Sequence, residues 1–92
     1  MIYDLHTGNS LKVVKAKDIS RTAFPIMLVE YKGNCSLGAI SIGNTMDVWT
    51  AITKYALDGR ISLAEHEELL REANRLGETV KHMGNGRFME VA

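Results

Sequence analysis

The chain has one cysteine, Cys35, so it can form no intrachain disulfide, and a small secreted scaffold stapled by bridges is excluded. Cys35 reads as a small apolar residue near a turn. A reactive thiol needs a basic neighbourhood, and only Lys32 is close in sequence. Aromatic residues make up only 7% of the chain, and Tyr3, Phe24 and Tyr31 are the N-terminal candidates for stacking on bases. That is poor equipment for reading single-stranded nucleic acid. No charge of one sign dominates: eleven Lys/Arg stand against eleven Asp/Glu. This argues against a wholly basic nucleic-acid binder. No stretch approaches the ~18 apolar residues of a membrane span. The start, Met1-Ile2-Tyr3-Asp4, lacks the basic and apolar regions expected of a signal peptide. There is no internal repeat.

What is present suits one small globular domain over residues 1–92, with 46% apolar residues. The first 43 residues read as mainly strands. Ile2 to Leu5 is short, and His6 to Ser10 is turn chemistry. Leu11 to Lys17 is a second strand, and Asp18 to Pro25 a connection. Ile26 to Lys32 is the clearest strand, and Gly33-Asn34 is a two-residue hairpin signal. Leu37 to Ile42 returns antiparallel, and its Gly38, Ala39 and Ser41 suggest close packing against it. Residues 44–83 read as two helices. Asn44 or Thr45 caps the first, which carries Val48, Trp49, Ile52, Tyr55 and Ala56 on one face and stops at Gly59. Ser62-Leu63-Ala64-Glu65 is a capping box opening the second. There Leu69, Ala73, Leu76, Val80 and Met83 recur at helical spacing, with Gly77 a weak point where the helix bends or ends. Met83 to Gly86 is a turn, and 87–91 a last strand closing an edge of the sheet. The expected fold class is α+β: an antiparallel sheet of about four or five strands, in the order β-β-β-β-α-α-β, with two helices on one face.

Catalytic and metal motifs fail on inspection. Asp58 to Glu65 matches the second half of an EF-hand loop, but the ligand positions of the first half hold Lys54 and Ala56, and a cation there opposes Ca²⁺. His66-Glu67 begins like a zinc-protease helix, yet Leu70 stands where the second histidine belongs. Gly33 to Gly38 lacks the lysine of a phosphate loop, and no serine sits in a nucleophile elbow. Carboxylate pairs occur only on the second helix, where a solvated face explains them. No catalytic residue, metal or cofactor is expected, and the chain reads as a non-enzyme.

The informative feature is charge asymmetry. Residues 1–43 carry five basic residues against three acidic ones, and residues 44–92 carry six against eight. Strict alternation separates Lys12 from Lys15 and Lys17, but a bulge at Val13-Val14 places all three on one face, and Arg21 extends that patch. With Lys32 these form the basic candidates, suited to a phosphate backbone or an acidic protein. Ordinary lysines keeping an edge strand soluble explain them as well. The acidic candidates are Glu65, Glu68 and Glu72 on the second helix, suited to basic grooves on a partner.

Taken end to end, the chain resembles anti-CRISPR proteins of the type I-F class, encoded by bacteriophages. The likeness rests on overall length, on the start Met1-Ile2-Tyr3-Asp4-Leu5-His6-Thr7-Gly8, on Asn44-Thr45-Met46-Asp47-Val48-Trp49, and on Gly84-Asn85-Gly86-Arg87-Phe88. The class has no signature motif, so no site residue is carried over. The resemblance implies a monomer in the host bacterial cytoplasm that binds the type I-F crRNA-guided surveillance complex stoichiometrically and blocks hybridisation of target DNA. The implied partners are the backbone protein subunits, with crRNA phosphates as a further contact, and neither a small-molecule substrate nor a membrane. Two other readings stay open: a small phage regulator of a different host protein, and a domain that binds free nucleic acid.

Overall fold

The computed structural model describes residues 2–16, 25–84 and 87–90. Four strands form one antiparallel sheet in sequential order: β1 (Ile2–Tyr3), β2 (Ser10–Lys15), β3 (Ile26–Lys32) and β4 (Cys35–Gly43). Two helices follow, α1 (Thr45–Leu57) and α2 (Leu63–Gly77), and then β5 (Val80–Gly84) and β6 (Arg87–Glu90). The α+β class is as the sequence pattern implies. The end of the chain differs: β5 and β6 pair with each other as a separate two-stranded sheet instead of closing the edge of the main one.

Alternation along the strands builds the core. Leu11 and Val13 of β2, with Ile26 and Leu28 of β3, face the helices and meet Val48 and Ile52 of α1 and Leu69 and Ala73 of α2. Ile26, Leu28, Val48 and Ile52 are wholly buried. Each such side chain contributes roughly 1.5–3 kcal/mol against exposure. α1 packs over β3 and β4, and α2 over β2 and β3.

Local chemistry sets the helix limits. The Asn44 side chain accepts from the Asp47 N–H at 3.0 Å, and the Asp47 carboxylate accepts from the Asn44 N–H at 2.9 Å. Ser62 and Glu65 make the same reciprocal pair, at 3.2 and 3.1 Å. These satisfy N–H groups that the first helical turn leaves without partners. Gly43 sits where the chain passes closest to this cap: a Cβ there would lie 2.2 Å from Asp47 Oδ2.

The apolar spacing that continues through Val80 and Met83 does not hold α2 together past Gly77. A Cβ at Gly77 would stand 2.2 Å from Thr45 Oγ1, so this turn crosses the start of α1 at a distance only glycine permits. The Thr79 hydroxyl then caps the Leu76 carbonyl at 2.7 Å and stops the helix. β4 also departs from simple alternation, with register shifts opposite Leu28/Val29 and Glu30/Tyr31. Gly38, with φ 115°, serves this irregular stretch, and nothing lies near its absent Cβ. The close packing expected at Gly38 is therefore not found. Cys35, paired with Lys32 across the Gly33-Asn34 turn, is exposed.

Candidate functional site

The β2–β3 pairing runs in unbroken register from Ser10↔Tyr31 to Lys15↔Ile26. The expected bulge at Val13-Val14 is absent, because both valines find direct partners in Leu28 and Met27. Period-two alternation then sends Lys12 and Lys15 to opposite faces of the sheet. Lys12 is exposed, near enough to Glu72 of α2 for its charge to act there. Lys15 shares the helix-covered face with Val13, and its Nζ lies 3.3 Å from Thr79 Oγ1, just past the end of α2. A cation there meets the negative end of the helix dipole. Lys32 is exposed at the end of β3. Lys17, Arg21 and Phe24, with most of the connection from Asp18 to Pro25, lie outside the described residues.

The structure brings Lys12 instead to the acidic helix. A groove of about 670 Å³ runs between α2 and the β1–β2 side of the sheet. Its walls are Ile2, Leu11, Val13 and Leu69, with Glu68 and Glu72 on the helix side and Lys12 and Tyr31 on the strand side. Three of the charged residues singled out in the sequence thus share one cleft, although they come from surfaces that read as separate. The signal that Leu69 and Tyr31 join them lay in the spacing: Leu69 follows Glu68 on the helix, and Tyr31 faces Ser10 across the strands.

The charges in this cleft are partly matched. Arg75 holds Glu72 through two hydrogen bonds, one from Nε at 3.0 Å, and these bonds with the charges of Arg75 and Lys12 keep the Glu72 carboxyl below its ordinary range. Glu65 stands on the same side of α2. The Ser62 backbone N–H holds its carboxyl low, and the Tyr3 backbone N–H assists.

The sharpest electrostatic feature was not foreseen. Asp4 is wholly buried and accepts from the His6 N–H at 2.9 Å, from Arg60 Nε at 3.1 Å and from Arg60 Nη2. Burial works to raise the Asp4 carboxyl, but the hydrogen bonds from Arg60 and His6 outweigh it and hold the group below its ordinary value. The Arg60 guanidinium lies 4.3 Å from the centre of the Tyr55 ring, and the Arg60 carbonyl accepts from the Leu5 N–H at 2.8 Å. This cluster fastens the β1–β2 turn to the corner between the helices. Both Asp4 carboxylate oxygens are engaged internally, so the pair positions that corner.

A hydroxyl–imidazole contact, Thr53 Oγ1 to His66 Nε2 at 3.2 Å, joins the two helices, and neither residue lines the groove. Among the described residues, no three His, Cys, Asp or Glu side chains are grouped to hold a metal ion, and no helix is long and apolar enough to cross a membrane. The chain matches no family model, no curated protein and no solved structure.

Proposed function

We propose that the chain is an anti-CRISPR inhibitor that docks, without catalysis, on the type I-F crRNA-guided surveillance complex in the host cytoplasm and keeps target DNA from hybridising. The observation that carries this reading is the acidic side of α2, where Glu65, Glu68 and Glu72 follow one another along the helix beside an apolar-walled groove. The resemblance drawn from the sequence supplies the identity of the partner. Guide complexes hold their RNA in a positively charged channel and read DNA by base pairing. A row of carboxylates on a rigid helix is complementary to such a channel and speeds encounter with it. Once seated, a body of this size stops the heteroduplex from zipping by occupying its path.

The split of Lys12 from Lys15 weakens the alternative of binding free nucleic acid, which rested on a continuous lysine patch. The test is co-elution of the purified chain with purified type I-F complex. A stoichiometric peak whose association rate falls as salt rises is expected. No co-elution, with no protection of phage from interference, sinks the reading. Capture of a different host protein would favour the other regulatory role.

A further inference from the structure

Three leucines stand unusually exposed at one end of the molecule: Leu5 at 65%, Leu57 at 83% and Leu63 at 79%. Their placement is fixed by bonds around them. Thr53 Oγ1 and His66 Nε2 lie 3.2 Å apart across the two helices. One turn further along each helix, toward the corner, come Leu57, the last residue of α1, and Leu63, the first of α2, each three residues from Arg60. The Leu5 N–H donates to the Arg60 carbonyl in the middle of that same corner. The Asp4–Arg60 pair and the Ser62–Glu65 capping box lock the backbone on either side. Exposed apolar side chains carried on a backbone held by such bonds suit a binding anchor, because they bury area without first ordering the segment that carries them.

We infer that this leucine corner is the anchor by which the chain grips a protein partner, inserting into an apolar depression with a basic rim. The inference rests on the docking role proposed above and adds the surface that holds the complex together. The rim of the corner selects the occupant. Asp58 and Glu67 are exposed beside it and Glu65 is half-buried, against the cations Lys54 and Arg60, of which Arg60 is already paired with Asp4. That acidic bias repels nucleic-acid phosphates and anionic membranes. It also disfavours a second copy of the chain, whose own acidic rim would be brought against this one. The acidic row of α2 then acts on the rate of encounter and the leucines on the rate of release.

The test is a variant carrying Leu5→Gln, Leu57→Gln and Leu63→Gln, measured against the intact type I-F complex by surface-immobilised binding. The three side chains are exposed, so the thermal midpoint should stay within about 4 °C of the parent. Affinity should fall by about tenfold or more, through faster dissociation at an unchanged association rate. Dissociation within about twofold of the parent overturns the anchor while leaving the docking role intact. A parent chain that does not bind the complex overturns the docking role, and this inference with it. Two further measurements decide the occupant. Self-association of the parent in sedimentation, abolished by the triple variant, overturns the inference in favour of a second copy. Binding of the parent to phosphatidylserine-containing vesicles, lost in the variant, overturns it in favour of a membrane surface.

Discussion

Replacing Arg60 by methionine isolates the one buried charge among the described residues. The variant keeps the unbranched apolar stem of the side chain but removes both donors to Asp4, whose side chain has no exposure. Removing one partner of a buried pair costs roughly 3–5 kcal/mol, because the remaining charge has neither water nor a counter-ion. Arg60 itself is 26% exposed, so part of its field is already screened, which points to the lower end of that range. Loss of the guanidinium over Tyr55 adds roughly 0.5–1 kcal/mol. A small domain has only about 5–15 kcal/mol in total, so the variant should remain folded but weakly. With a urea slope of about 1.5 kcal/mol/M, the midpoint should drop by about 2.5 M.

The pH dependence carries the sign of the effect. In the parent the Asp4 carboxyl is held low, so its contribution is complete above the ordinary Asp value of about 4 and is lost as pH falls through the lower folded value. In the variant the unpaired carboxyl is raised by burial and is relieved by protonation. The gap between the two proteins should therefore be widest near neutrality and shrink on acidification. Adding Asp4→Asn to the variant removes the stranded charge and should restore part of the stability. A midpoint within about 0.3 M of the parent at neutral pH would refute the reasoning, and would mean that Asp4 is solvated in solution.

Three other outcomes follow from the same geometry. Gly77→Ala, which in a free helix gains about 1 kcal/mol, should here destabilise on thermal unfolding, and Thr45→Ala should recover much of the loss by clearing the clash. Trp49 is half-buried with its indole Nε1 enclosed and without a partner among the described residues, so Trp49→Phe should cost less than about 1 kcal/mol in denaturant titration; a loss above about 3 would show that the N–H is bonded in solution. Ser62→Ala should cost about 1 kcal/mol at neutral pH. Glu65 is held low by the Ser62 N–H, so its share of the cap is present above about 4.3 and fades as pH falls through the lower folded value; Glu65→Gln should flatten that part of the acid limb.

Local rules carried much of the fold. Asn44 with Asp47, Ser62 with Glu65, and Gly33-Asn34 each specify their turn or cap within four residues, so the chain around them is readable one window at a time. What escaped depends on residues far apart. Gly77 is needed where α2 crosses Thr45, thirty-two positions earlier. The faces of Lys12 and Lys15 depend on whether β3 offers a partner to each valine between them, which no pattern within β2 reveals. Val80 and Met83 keep helical spacing yet lie in β5, since periodicity does not register a steric stop upstream. The groove was half legible: Glu68 and Glu72 stood out as an acidic face, but their meeting with Lys12 is a consequence of helix packing. The Asp4–Arg60 pair bridges fifty-six positions and left no trace in either neighbourhood.

The most direct measurement of the central claim is target-DNA binding by the type I-F surveillance complex after mixing with an equimolar amount of this chain. The account predicts that duplex binding is abolished while the guide RNA stays intact and the chain emerges chemically unchanged. Undiminished DNA binding in the presence of a large excess of folded chain would contradict it.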